Sequence, residues 1–295
     1  MFSKYKFNVQ NQKKLRVIID SDAACEADDQ YALVHALLTP RFEIKGIVAE
    51  QFTQFGSKQS VHESFEEINK VMRLMNISDI PVILGADMPL SEEHEILTSP
   101  GADFIIEEAL KEDDQPLYVL CQGALTNVAI ALNKAPEISD KFICIWIGGG
   151  EYPDGGWEFN LFNDFHATNK VFNSTVELWQ VPMDCYTQVQ VSYAELQTKV
   201  RPYGQIGKYL FDEMQALGMK ADWISGEAWG LGDSPALALA LNPGCGRYRL
   251  SKAPIINHKG EYVNYHDHNI RVYYSIDSRY ILEDFFAKLK IMYGD

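Results

Sequence analysis

No stretch of this chain approaches the ~18 consecutive apolar residues that a membrane-spanning helix needs. The opening residues, Met1-Phe2-Ser3-Lys4-Tyr5-Lys6, lack the apolar core of a secretory leader. The expectation is a cytoplasmic protein with no membrane partner. Cysteine is scarce and odd in number: five, at positions 25, 121, 144, 185 and 245, with no C-x-x-C pair. That speaks against a disulfide framework and for reduced thiols. Positive charge is also short. Against 41 Asp and Glu stand 26 Lys and Arg, a net charge of −15, which argues against nucleic acid and anionic surfaces as partners while leaving a small neutral or cationic ligand open. Internal repeats, low-complexity linkers and breaks in composition are missing as well, so 1–295 reads as one domain with its core from about 15 to 290. Apolar residues at 46% suffice for a sizeable core.

What is abundant is carboxylate in one place. Asp20-Ser21-Asp22-Ala23-Ala24-Cys25-Glu26-Ala27-Asp28-Asp29 directly follows the apolar run Leu15-Arg16-Val17-Ile18-Ile19. The run reads as a buried strand, and Asp28 to Leu38 as a helix with Tyr31, Ala32, Val34, Leu37 and Leu38 apolar. The acidic loop therefore lies at the carboxyl end of a first strand, where open α/β sheets bind ligands. Crowded carboxylates raise one another's pKa unless a cation sits among them, and an all-oxygen cluster suits a hard ion such as Ca²⁺ or Mg²⁺. The plain alternative is a solvated acidic turn.

The rest of the chain alternates strand and helix. Strands are expected at Ile44–Ala49, Pro81–Gly85, Leu117–Cys121, Phe142–Ile147 and Val176–Gln180, with helices at Glu63–Met75, Asp103–Leu110, Thr126–Leu132 and Thr168–Ser174. Ser192 to about Leu241 looks helical and aromatic, and a strand at Ile270–Ser275 precedes a final helix, Ser278–Met292. This rhythm implies an α/β fold, a mostly parallel open sheet with helices on both faces. Other strand ends carry polar groups. Gln122-Gly123 follows a buried strand, with a glycine that lets backbone approach a ligand. Glu158 and Asn160, two apart after the glycine-rich segment 148–156, could both face a set of hydroxyls. Asp233 precedes the apolar run Ala236–Leu241, where helix capping is its ordinary role. Tyr265-His266-Asp267-His268 could be a metal pair or a base, or an exposed polar loop.

Together these pieces resemble the inosine-uridine nucleoside hydrolase family. Asp20, Asp22, Asp28 and Asp29 meet its D-x-D…D-D signature, Gly123 to Ala129 its G-x-L-T-N-x-A segment, Glu158-Phe159-Asn160 with Asp164 its E-F-N…D segment, and Asp233 its late Asp. The resemblance runs from about Arg16 to Lys288. It implies one Ca²⁺, or Mg²⁺, held by Asp22, Asp29, the Gln122 carbonyl and Asp233, with Asp22 as the base that activates water. It further implies that Asp28, Glu158 and Asn160 hold the ribose of a nucleoside, in a homodimer or homotetramer. Three departures stand out. Five residues separate Asp22 from Asp28 where the family usually has three; the usual Asn after the second strand is Glu50; and the His that often precedes the late Asp is Gly232. The base-side candidates are then Glu50, Trp157, Trp223, Trp229, His266 and His268.

The chemistry is coherent without the resemblance. Breaking an N-glycosidic bond develops positive charge on the sugar, which clustered carboxylates stabilise. A metal acidifies water and a carboxylate takes the proton. Two other readings were weighed. Asp20-Ser21-Asp22 after a first strand also suits a haloacid-dehalogenase-type phosphatase with an Asp nucleophile and Mg²⁺, but its G-D-x-x-x-D closure meets Leu237 here. A Ca²⁺-binding EF-hand beginning at Asp20 would need Gly where Cys25 stands and Glu where Tyr31 stands.

Overall fold

The structure, a computed structural model, describes residues 2–294. Its spine is one eight-stranded sheet in the order β3-β2-β1-β4-β5-β6-β10-β9. The strands are β1 (Leu15–Ser21), β2 (Phe42–Ala49), β3 (Val82–Leu84), β4 (Leu117–Cys121), β5 (Phe142–Ile147), β6 (Glu177–Val181), β9 (Gly246–Ile256) and β10 (Tyr262–Ile276). All neighbours pair in parallel except β9, which runs antiparallel to β10 along the edge. The remaining strands, β7 (Gln190–Ser192) and β8 (Ala228–Gly230), form a separate antiparallel pair.

Period-two alternation sorts the core into two layers. Every residue of β1 is buried; Val17 and Ile19 face one layer and Ile18 the other. The first layer is covered by α1 (Asp29–Leu37), α2 (Ser60–Leu74), α9 (Gly204–Gly218), α10 (Ser234–Leu241) and α11 (Ser278–Tyr293). The second is covered by α3 (Pro100–Ala109), α4 (Thr126–Lys134) and α6 (Phe165–Asn173). The short helices α5 (Phe159–Asn163), α7 (Met183–Tyr186) and α8 (Tyr193–Lys199) complete the set. Both faces of the sheet are thus buried, which explains why its strands read as continuous apolar runs.

From β1 the chain winds outward through β2 and β3, then returns to the other side of β1 with β4. The junction of β1 and β4 is the topological switch point, and a crevice opens above the carboxyl ends of these two strands. Asp20, Asp22 and Gln122 stand at that junction, where the Gln122 amide donates to the Asp20 carbonyl at 2.8 Å.

Two expectations need correction. The stretch after Ser192 is not wholly helical, because β7 and β8 interrupt it; three-residue strands are too short to show a period. Residues 265–268 are not a loop. They lie within β10, which begins eight residues before the expected strand and pairs with the unforeseen β9. The alternating exposure along this edge hairpin leaves too few apolar positions to announce it.

Candidate active site

An acidic cavity of about 80 Å³ sits over the switch point. Asp22, Asp28, Asp29, Gln122, Glu158, Asn160 and Asp233 all line it. Seven expected residues from four separate segments therefore converge. Helix geometry supplies two of them in an unusual way. Asp28 and Asp233 occupy the N-cap positions of α1 and α10, yet neither side chain caps its helix. Their carboxylates face the cavity, next to the positive ends of two helix dipoles. Oxygens of Asp28, Asp29 and Asp233 all lie within 4.8 Å of one another. Ser21 Oγ donates to Asp29 Oδ1 at 2.6 Å, and Asp22 Oδ2 is buried with no hydrogen-bond partner.

The electrostatics follow from crowding. Burial first, and then neighbouring carboxylates, push Asp22 and Asp233 well above the usual carboxylate range. Burial and Asp28 raise Asp29 to about 7, and burial raises Asp28 to about 6 against the opposing amides of its own helix start and of Gly232 and Asp233. No lysine, arginine or histidine lines the cavity to relieve this. An all-oxygen, charge-strained donor set with an orphaned buried carboxylate oxygen fits a hard divalent cation. The Gln122 side-chain amide is also buried without a partner, while its carbonyl accepts from Asn160 Nδ2 at 2.9 Å.

Glu158 and Asn160 act as fasteners as much as lining. Glu158 caps α5 and takes hydrogen bonds from the amides of Gly149 (2.8 Å), Leu161 (2.9 Å) and Asn160 (3.2 Å) and from the Tyr186 hydroxyl (3.0 Å). Asn160 ties the Gln122 and Ile147 carbonyls together at 2.9 Å each, joining the ends of β4 and β5.

The structure does not bring the other expected residues into the acidic cavity. Glu50 lies behind it, fully buried, bonded to Asn127 Nδ2 at 2.9 Å and to the Gln51 amide at 2.8 Å; Asn127 Nδ2 also bonds Asp20 Oδ1 at 3.0 Å. Trp229 is buried in β8 and lines an adjoining cavity with Trp223, Glu26 and Asp28. His266 and His268 stack on each other at 5.7 Å on the β9–β10 hairpin and line none of the cavities that adjoin the carboxylates. Their expected part in leaving-group departure is withdrawn, since strand register has carried them to the far sheet edge. Sequence reasoning missed Glu26 and Tyr186, which line the acidic cavity and both neighbours. Tyr186 ends the short helix after β6, another carboxyl strand end, and that position was the available signal.

Comparison with known proteins agrees with this geometry. The family model described as inosine-uridine preferring nucleoside hydrolase matches residues 17–282. The chain belongs to this family. It is an N-glycosyl hydrolase by that membership, and relatives named pyrimidine-specific ribonucleoside hydrolase RihA, from Salmonella schwarzengrund and Salmonella typhimurium, are each 28% identical over 75% of this chain and 76% of theirs. Among solved structures, a purine-preferring ribonucleoside hydrolase from Gardnerella vaginalis aligns with TM-score 0.75 at 22% identity, covering 95% of this chain and 99% of that one. An inosine-uridine preferring nucleoside hydrolase from Bacillus anthracis aligns with TM-score 0.72 at 18% identity, covering 94% and 99%. These likenesses show the fold of this nucleoside hydrolase. The phosphatase reading falls with them, and Leu237, where its second Asp would stand, is fully buried in the apolar layer.

Proposed function

We propose that this hydrolase cleaves the N-glycosidic bond of a ribonucleoside with the aid of one divalent cation, Ca²⁺ or Mg²⁺. The observation that carries the reading is the convergence of two helix-start carboxylates that do not cap their helices, Asp28 and Asp233, with Asp22 and Asp29 on one acidic cavity. Asp28, Asp29 and Asp233, whose oxygens lie within 4.8 Å of one another, would hold the ion, with Asp22 and the Gln122 carbonyl on the same cavity wall as the further ligands that the family likeness implies. When bound, the ion would supply Lewis acidity toward water and toward a vicinal diol.

The chain's own residues do the rest. Asp22, buried at the end of β1 with one oxygen unpartnered, takes a proton from the attacking water. Asp28 and Asn160 orient the ribose hydroxyls, while Glu158 holds the glycine-rich loop against them. As the C1′–N bond lengthens, positive charge grows on the sugar, and the surrounding carboxylates stabilise it.

Two measurements test the reading. Product analysis must find free ribose and free base from a nucleoside, and no phosphate from a phosphomonoester. Asp22→Asn should lower kcat by about 10²–10⁴-fold, the ordinary contribution of a general base, while keeping the fold. Near-normal turnover by that variant would remove Asp22 from the reaction.

A further inference from the structure

The acidic cavity opens onto two larger ones, and Glu26 and Tyr186 stand at the junction of all three. Glu26 exists there because the acidic loop is longer than the family pattern. The outer wall on one side is aromatic: Phe52, Phe55, Trp157, Phe159, Tyr186 and Trp223. Phe55 packs on Phe159 and Trp157 with ring centroids 5.2 and 6.0 Å apart, and Phe55, Trp157 and Trp223 remain substantially exposed. Among the described residues, no lysine, arginine or histidine lines any of the three cavities. At position 232, an added Cβ would meet the Tyr186 ring at 3.0 Å and Asp28 Oδ2 at 3.3 Å, so the tyrosine ring occupies the space beside the late Asp.

These facts bear on the leaving group. A neutral nucleoside base departs as an anion unless a proton reaches it; among the described residues no histidine, lysine or arginine lines these cavities to deliver one, and the Tyr186 hydroxyl already donates to Glu158 Oε1 at 3.0 Å. Six carboxyl groups line the inner cavity: Asp22, Glu26, Asp28, Asp29, Glu158 and Asp233. Each negative charge there is opposed by its neighbours, so a positive ligand is favoured and an anionic one repelled. An aromatic wall with a carboxylate at its edge attracts organic cations through the ring quadrupoles and through Coulomb attraction.

We propose that the preferred substrates are cationic N-ribosides, in which ribose is joined to a pyridinium-type ring that rests on the aromatic wall beside Glu26. The proposal rests on the riboside-hydrolase reading above and names its substrate class. The step balances without an acid. Water oxygen bonds to C1′, the C1′–N bond breaks, and its electron pair passes to the ring nitrogen, which leaves as a neutral pyridine. The water's spare proton goes to Asp22, and the products are ribose, the neutral base and one proton.

The test compares kcat/KM for nicotinamide riboside, uridine, inosine and p-nitrophenyl riboside in the Ca²⁺-supplied enzyme. The cationic riboside should exceed both neutral nucleosides at least tenfold, and its advantage should shrink with added salt. The cation 1-methylnicotinamide should inhibit p-nitrophenyl riboside hydrolysis at least tenfold better than neutral nicotinamide, a readout that needs no variant. In Glu26→Gln the ratio of kcat/KM for nicotinamide riboside to that for p-nitrophenyl riboside should fall at least tenfold. Hydrolysis of p-nitrophenyl riboside with uridine or inosine matching the cationic substrate would overturn this proposal alone. Hydrolysis of no riboside at all would overturn the parent reading and this one with it.

Discussion

Replacing Gly123 by alanine should disable the site through a single methyl group. Gly123 follows Gln122 at the end of β4, directly across the switch point from Asp22. A Cβ built there would lie 2.8 Å from both Asp22 Cγ and Oδ1 and 3.1 Å from Asp22 Cβ, against an ordinary contact distance that starts at 3.4 Å. About 0.6 Å must therefore be found by moving one partner. Neither is free. The Gly123 carbonyl accepts from Trp146 Nε1 at 3.0 Å, with Trp146 fully buried; Asp22 is 2% exposed and its carbonyl accepts from the Cys25 amide at 2.8 Å. Overpacking of this kind costs roughly 1–3 kcal/mol of stability, and a displaced reacting group costs on the order of 10²-fold in rate per ångström. The assay pairs thermal unfolding with kcat on p-nitrophenyl riboside. The expected result is a Tm lower by a few degrees, still cooperative, and kcat down by about 10–100-fold with no comparable rise in KM. A variant with wild-type kcat would refute the claim that the Asp22 carboxylate must stay where β4 holds it.

Supplying Ca²⁺ at about 100 times its Kd should stabilise the fold by about 2.7 kcal/mol, or roughly 5 °C in Tm, and a chelator should reverse it. Asp233→Asn should abolish most of that shift; an undiminished shift would place the ion elsewhere. A third expectation concerns pH, away from the site. His35 is buried in α1, where burial foremost and Lys288 next push it down to about 4, only partly opposed by its 2.7 Å hydrogen bond to Asp284. Its folded value lies below the ordinary 6.5, so the unfolded chain binds the proton first. Its share of stability is therefore complete above pH 6.5 and is lost as pH falls toward 4, about 3 kcal/mol in all. His35→Gln should remove that acid-side slope from the urea unfolding free energy between pH 7 and 4.5; identical slopes in the two proteins would refute it.

The central fold was legible because physical constraint and sequence pattern coincide there. β1, β2, β4, β5 and β6 are buried over most of their length, so each leaves a predominantly apolar run, and the runs of β1 and β4 end where polar chemistry begins. The amphipathic helix α2 announces itself through Ile68, Val71 and Met72 on its buried side. The edge was illegible for the converse reason. β9 shows solvent along most of its length and holds its place through pairing with β10, which is a non-local fact that no window on the chain contains. The histidines 266 and 268 were drawn into the expected site only because their hairpin was not foreseen.

At the site, the difference between reading and structure lies in where side chains point. Asp233 before an apolar helix looks like an N-cap, and its backbone takes that position, but its carboxylate makes no capping bond. Glu158 shows the opposite: read as a ligand for hydroxyls, it spends its oxygens on three amides and the Tyr186 hydroxyl. Residue type and strand-end position locate a carboxylate in the crevice, but hydrogen-bond saturation decides what it can still do there. A saturated carboxylate is fixed and shapes the wall; an unsaturated one, such as Asp22, retains a lone pair for a proton or a cation. By the same criterion Glu50, read as a substrate contact, is a structural group, since Asn127 and the Gln51 amide occupy it behind the cavity. The residues that distinguish this hydrolase from its family pattern, Glu26 and Gly232, flank Tyr186 at the passage between the sugar cavity and the aromatic wall. Glu50, the third departure, is held by Asn127 and the Gln51 amide behind the cavity, so the two departures that reach the cavity, the longer acidic loop and Gly232, both bear on the passage beside Tyr186.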